Sequence, residues 1–154
     1  LLYALEYQDN QEVYNLLENK TLKFNANAYN KDQRTALHLA VLNRDINAVK
    51  ALISMGFKVD AEDIDGLTPF HLAAEVNDPE LVNILYLDNP NVLNRKSKNK
   101  ATALYIAVQQ NNIESVKTLM NLGADVNAPI HNDLYPLYIA LFNNYIEIVD
   151  LLLT

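Results

Sequence analysis

Apolar residues in this chain fall into short clusters that return at a nearly constant distance. Four six-residue segments share a polar or aromatic start, an apolar body and a final Ala: 35–40 (TALHLA), 68–73 (TPFHLA), 102–107 (TALYIA) and 135–140 (YPLYIA). Their starts are 33, 34 and 33 residues apart. A fixed period of this size is typical of solenoids, in which small units stack and bury one continuous core. We therefore expect function on a repeated surface rather than at one central site.

A second apolar series keeps the same phase and defines the units. Each unit has a Val followed by an apolar pair; these are Val49, Val82, Val116 and Val149. An earlier unit lies 36 residues before its neighbour, measured from Ala4 to Ala40, so extra residues are expected within 18–26. We predict one repeat domain over 1–154, with units near 1–30, 31–63, 64–97, 98–130 and 131–154, the last one truncated. Because the chain starts and ends inside apolar patterns, we expect a fragment of a longer array.

Polar residues at fixed places in each unit predict two short helices and a turn. Thr35, Thr68 and Thr102 are suited to cap the first helix. The second helix is expected to be capped by Asp45, Asp78 and Asn112. It should end at a left-handed residue, for which the candidates are Gly56, Asn89 and Gly123. A β-turn finger follows, with Asn30, Asp63, Ser97 and Ile130 in the same phase.

These motifs resemble the ankyrin repeat over nearly the whole chain. The family's Thr-Pro-Leu-His opening appears as Thr68-Pro69-Phe70-His71, and its Gly-Ala-Asp-Val-Asn ending appears at residues 123–127. The resemblance implies an all-α solenoid of stacked helix-turn-helix units with projecting β-turn fingers. It implies protein–protein recognition through the fingers and a concave groove. It also implies that His38 and His71 are structural and tie the helix start to the neighbouring turn.

The resemblance also points to candidate partner-binding residues. In such stacks the ends of the first helices line the concave groove; here these are Leu42, Asn43, Glu75, Val76, Gln109, Gln110, Phe142 and Asn143. Candidates at the finger tips are Ile64, Lys98 and His131. Apolar groove residues rimmed by polar ones often mark an interface, although single exposed apolar residues are also common.

Two fingers carry opposite charge. The acidic cluster is Asp60, Glu62, Asp63 and Asp65, and the basic cluster is Arg95, Lys96, Lys98 and Lys100. These clusters can be solubilising loops that attract each other weakly, or a bipolar patch that orients a charged partner. For the Asp63 and Asp65 pair we expect a solvated turn rather than a catalytic or metal-binding site.

Composition excludes several classes of function. The net charge is −7, so affinity for the phosphates of nucleic acid is not expected. The three Gly residues are too scattered for a phosphate loop, and no Cys is present. No other metal ligands lie in phase with His38 and His71, whose position is taken by Tyr105 and Tyr138 in later units. We expect no enzyme activity, no cofactor and no metal.

The sequence favours a monomeric protein-interaction module in the cytoplasm that does not insert into a membrane. Two alternatives stay open. The segment can be the targeting arm of a larger effector or toxin, placing it in a host cytoplasm, or it can be a structural spacer. Asn127 resembles ankyrin asparagines that are hydroxylated, but its position also suits a residue that stabilises a turn.

Overall fold

The computed structural model describes all of residues 1–154 and contains ten α-helices. They form five helix-turn-helix pairs: α1 (Leu2–Glu6) with α2 (Asn10–Glu18), α3 (Ala36–Leu42) with α4 (Ile46–Ser54), α5 (Pro69–Glu75) with α6 (Pro79–Asp88), α7 (Ala103–Gln109) with α8 (Ile113–Asn121), and α9 (Pro136–Phe142) with α10 (Ile146–Leu153). The first helices of successive pairs contact one another, and so do the second helices. The predicted all-α solenoid is confirmed.

Small residues allow the first helices to approach closely. Ala40, Ala73, Ala107 and Ala140 recur in phase, and all are fully buried. Val49, Val82 and Val116 of the second helices are buried beside them, in one core that runs along the stack. Each pair therefore depends on its neighbours for burial, as expected of a solenoid.

Most of the predicted helix caps are present. The Thr68 and Thr102 hydroxyls accept the N–H of His71 at 3.4 Å and of Tyr105 at 3.2 Å. The carboxylates of Asp45 and Asp78 accept backbone N–H groups in the first turns of α4 and α6, at 3.0 and 3.2 Å.

Asn112 does not cap α8, so that prediction is wrong. Its side-chain amide reaches the preceding pair and donates to the carbonyls of Ala74 at 2.9 Å and Glu75 at 2.8 Å. Asn can do this because its amide carries N–H donors, which Asp lacks. In exchange, Asn77 of that pair accepts the N–H of Ser115 in the first turn of α8, at 3.1 Å. The two asparagines thus join neighbouring pairs from both sides.

The left-handed helix ends are present at two of the three predicted places. Gly56 and Gly123 have φ of +89° and +90°. Asn89 does not, because it is extended, with φ −146° and ψ 94°. Pro90 follows it, and a residue before proline is held in the extended region. The Asn89 side chain instead accepts the Asn91 N–H at 3.1 Å and starts a short 3₁₀ turn.

The turns inside all five helix pairs hold a left-handed residue that is not glycine. These residues have φ between 54° and 58°: Gln8, Arg44, Asn77, Asn111 and Asn144. Asparagine tolerates this conformation better than most side chains, whereas arginine gains nothing from it. The positions gave no signal in the apolar pattern.

Candidate protein-binding groove

The fingers are tight turns, each closed by a backbone hydrogen bond. The donors and acceptors recur in phase as Asn30 to Arg34, Asp63 to Leu67, Ser97 to Ala101 and Ile130 to Leu134, at 2.9–3.1 Å. In the first three fingers a side-chain oxygen of the first residue also accepts backbone N–H groups of the turn. Ile130 has no such oxygen, so the last finger lacks this support.

Asp63 is buried, so the expected solvated carboxylate is wrong at this position. The residue is 2% exposed, and its side chain is fully buried. One carboxylate oxygen accepts the N–H groups of Asp65 and Leu67, both at 2.9 Å, and the other accepts from Arg34 Nε at 3.2 Å. A carboxylate satisfied in this way holds the shape of the turn and has no free position for chemistry.

Neighbouring fingers are joined by backbone hydrogen bonds until the last one. The Ile64 N–H donates to the Asp32 carbonyl at 2.9 Å, and the Lys98 N–H donates to the Asp65 carbonyl at 3.0 Å. No corresponding bond joins the last finger to the one before it. A 3₁₀ turn over His131–Asp133 replaces the earlier geometry there.

A cavity of about 520 Å³ lies where this row of fingers breaks. Its finger side includes Asp65, Ser97, Asn99, Ile130 and His131. Its helix side includes Glu75, Tyr105, Ile106, Gln109 and Gln110. The structure therefore brings four predicted site residues together, namely Glu75, Gln109, Gln110 and His131. The size is that of a typical ligand pocket, about 300–1,000 Å³.

The histidines at the start of α3 and α5 make the tie that the resemblance implied. His38 Nδ1 accepts the Thr35 N–H at 3.1 Å, and its Nε2 donates to the Leu67 carbonyl of the next finger at 2.9 Å. His71 repeats this, with Nε2 donating to the Arg95 carbonyl at 2.9 Å. Burial lowers the pKa of both imidazoles, which favours the neutral form that this bonding needs.

Tyr105 occupies the histidine position in α7 but makes no such tie. The residue is 3% exposed and lines the cavity. Its backbone N–H is capped by Thr102, yet its hydroxyl forms no hydrogen bond within the chain. Burial is the cause that raises the pKa of this phenol. The buried side-chain atoms without a partner are Asp45 Oδ2 and Ser115 Oγ, and the Tyr105 oxygen is not among them, so it reaches the cavity at the end of an otherwise buried ring.

Several predicted groove residues also have a structural role. Leu42 and Val76 are half-buried and pack against the core. Asn43 donates to the Leu5 carbonyl of the preceding pair at 2.7 Å. The apolar character of Leu42 and Val76 therefore has a cause within the fold.

Phe142 and Asn143 lie at the surface of the last pair. Phe142 is 76% exposed and stacks on Tyr138, with ring centroids 6.2 Å apart and planes inclined by 17°. The Asn143 side chain bonds the Ile139 carbonyl of its own helix at 2.9 Å. Phe142 is thus the predicted groove residue whose apolar surface is most open to solvent.

The finger tips carry the opposite charges expected. Ile64 is 46% exposed, and the Lys98 ammonium donates to its carbonyl at 2.6 Å. One ion pair, Arg95 with Glu62 at 2.9 Å, joins the basic and acidic clusters. Both partners are well exposed, so the pair contributes only about 0–1 kcal/mol.

Asn127, which resembles hydroxylated ankyrin asparagines, lies in a turn. Its backbone N–H donates to the Asp125 carboxylate at 2.9 Å, and Asn127 is exposed.

Two departures from the repeat would have revealed the cavity residues that the sequence analysis missed. Tyr105 replaces a histidine that ties adjacent units, and Ile130 replaces the polar first residue of a finger. Both changes fall beside the same gap.

No group of three or more His, Asp or Glu side chains converges anywhere to hold a metal ion. No helix combines the length and apolar character that crossing a membrane requires.

Comparisons with known proteins agree with this architecture. The profile of the family described as ankyrin repeats (3 copies) matches residues 1–95 and 70–154. An ankyrin repeat protein of Acanthamoeba polyphaga mimivirus is 30% identical over 97% of this chain and 19% of its own length. The human B-cell lymphoma 3 protein is 37% identical over 75% of this chain and 26% of its own length. The tyrosine-protein kinase Shark of Drosophila melanogaster is 31% identical over 76% of this chain and 12% of its own length.

The chain therefore spans about a quarter or less of each of these relatives. The matched segments include both halves of the stack and all of the in-phase motifs. The chain belongs to the ankyrin-repeat family.

Proposed function

We propose that this chain is a protein-recognition module that binds a partner along its concave groove, with the cavity beside Tyr105 as the centre of the contact. Ankyrin repeats generally mediate protein–protein interaction and are generally non-enzymatic. The observation that supports the location is the cavity itself, since it lies between the fingers and the first helices α5 and α7 and is lined by four of the predicted groove and tip residues.

The lining suits a peptide segment better than a small apolar ligand. Gln109 and Gln110 at the end of α7 are exposed and offer both donors and acceptors. Ile106 and Ile130 supply apolar surface between them. A polar rim around a modest apolar floor is the arrangement of many protein interfaces. Phe142 and the Ile64 and Lys98 tips are proposed as outer contacts on either side.

Selection from a random 12-residue peptide display library tests this function. We expect wild-type protein to enrich peptides that lose at least about tenfold in affinity against Gln110→Trp, because the indole fills the rim. Gln11→Trp is the matched control, since Gln11 is exposed on α2, away from the cavity. Absence of enriched peptides, or binders that tolerate Gln110→Trp, would contradict the proposal.

A second candidate is a targeting arm within a larger protein. The observation that favours it is the short share of each relative that this chain covers, including 12% of a protein named as a kinase. In this case the groove selects the target and another part acts on it. Sizing the native polypeptide with an antibody against α8 tests the idea, because a native mass near that of this chain rules out an arm.

A further inference from the structure

We infer that the cavity beside Tyr105 takes the side chain of an arginine from the partner segment. This inference rests on the proposed function and names the chemistry recognised at its centre. Three features carry it: an unpaired hydroxyl at the floor, two unpaired carboxylates at the rim, and apolar surface between them.

The Tyr105 hydroxyl is the first feature. Its ring is enclosed, since the residue is 3% exposed, and it lines the cavity without any hydrogen bond from its oxygen. In the two preceding units the equivalent histidines donate to carbonyls of the next finger. The oxygen itself is not a buried atom and reaches the cavity, where a phenol can donate one hydrogen bond and accept others. Here the bonding capacity is left for an occupant of the cavity.

The carboxylates of Asp65 and Glu75 are the second feature. Both residues line the cavity and are exposed, and neither side chain takes part in any of the chain's ion pairs. No Lys or Arg lines the cavity. The nearby Lys98 ammonium is held by the Ile64 carbonyl at 2.6 Å. The cavity therefore offers a cation two partners and repels an anion.

The chemistry of arginine suits both features together. Its planar guanidinium has five N–H donors, enough for two carboxylates and a phenol oxygen at once. Its methylene stem can lie on Ile106 and Ile130, because long basic side chains bury their stems on apolar surface. A metal ion fits less well, since no cluster of three suitable ligands is present.

Titration of the complete chain followed by ¹⁵N–¹H NMR tests the inference. The probe is a blocked pentapeptide with arginine at its centre and leucine on each side. Its partner peptide carries citrulline instead, which keeps the shape and loses the charge. We expect saturable shifts at the amides around Tyr105 and Gln109, with the citrulline peptide about tenfold weaker because two exposed ion pairs are lost.

Three variants separate the contributions. Tyr105→Phe removes only the free oxygen and should weaken the arginine peptide about threefold to tenfold, with little effect on thermal unfolding. The double change Asp65→Asn and Glu75→Gln should make the two peptides equal. The double change Glu18→Gln and Asp150→Asn is the charge-matched control and should change nothing, since both residues are exposed, form no ion pair and do not line the cavity.

Equal affinity for the two peptides, shifts located away from the cavity, or no saturation at millimolar concentration would overturn the inference. The display selection described above distinguishes this failure from failure of the proposed function. Selected peptides that bind the groove without a basic residue would retain the function and reject the arginine. No groove-dependent peptides at all would reject both.

Discussion

Gly66 lies at a close approach of two neighbouring fingers, so substituting it tests how the fingers are held together. Its φ is +73°, in the left-handed region. A Cβ added there would lie 2.8 Å from the backbone nitrogen of Lys98 and 3.1 Å from that residue's Cγ. That nitrogen donates to the Asp65 carbonyl at 3.0 Å. The Gly66→Ala change therefore presses on one of the hydrogen bonds that join the fingers.

The magnitude follows from two separable terms. Placing alanine at positive φ costs about 1–2 kcal/mol, offset by about 0.4–1 kcal/mol because alanine orders the unfolded chain. Gly56→Ala and Gly123→Ala isolate this term, since both sites have φ near +90° and no atom within 4 Å of the new Cβ. We expect about 1 kcal/mol for each. At Gly66 the clash and the weakened hydrogen bond add about 1–3 kcal/mol.

Urea unfolding followed by circular dichroism at 222 nm measures all three variants. We expect Gly66→Ala to lower the free energy of unfolding by about 2–4 kcal/mol, clearly more than the two controls. The slope of the unfolding free energy against urea should be unchanged, since the folded area is the same. A Gly66→Ala variant as stable as Gly56→Ala would refute the reasoning, because the finger contact would then yield without cost.

Three further outcomes follow from the structure. The folded-state pKa of His38 and His71 is lowered, so the unfolded chain binds more protons below about pH 6.5. The free energy of unfolding should be highest above that pH and should fall on acidification by up to about 1.4 kcal/mol per pH unit for each histidine. Urea titrations that give the same unfolding free energy at every pH from 7 to 5 would contradict this. Asn112→Ala should lower the free energy of unfolding by about 1–2 kcal/mol. Asn112→Asp should be no more stable than the Ala variant, although Asp is a good cap, because only the amide can donate to the two carbonyls. Wild-type stability of the Asp variant in the same assay would indicate a capping role. Leu42→Ala should lower the free energy of unfolding by about 1–2 kcal/mol, because Leu42 packs on the core. Phe142→Ala should lower it by about 0.5 kcal/mol or less, because Phe142 is largely exposed. Equal losses in the two variants would contradict this difference in burial.

The repeat period was enough to predict the solenoid, because each unit must present the same apolar positions to its neighbours. Thr68, Asp45 and Asp78 were predictable as caps for a similar reason, since each acts within its own helix. Local signals of this kind depend on residues three apart, and the sequence displays them directly.

Predictions failed where a side chain acts across the stack or beside an unusual neighbour. Asn112 has the composition of a cap, but its partners lie 37 and 38 residues earlier. Asn89 was a suitable residue for a left-handed position, but Pro90 follows it and holds it in the extended region. Asp63 belongs to a charged run, yet the turn that it supports buries it. Part of the candidate site was predictable, because its rim residues lie at repeated groove positions. Tyr105 was not predicted as a site residue, because it departs from the repeat.

The left-handed turns inside the helix pairs bear on how far this protein could be improved by engineering. Arg44 holds a φ of +54° with a full side chain, where glycine would relieve about 1–2 kcal/mol of backbone strain and lose about 0.4–1 kcal/mol by freeing the unfolded chain. Asn111 and Asn144 hold the same geometry, but asparagine tolerates it, so the gain at these two positions is smaller. Asn77 is different, since its side chain bonds Ser115 and would be missed. Because the turns are far apart, their gains should add. The natural sequence is therefore less stable than the same backbone allows. A more heat-resistant version could be made without substituting the groove residues.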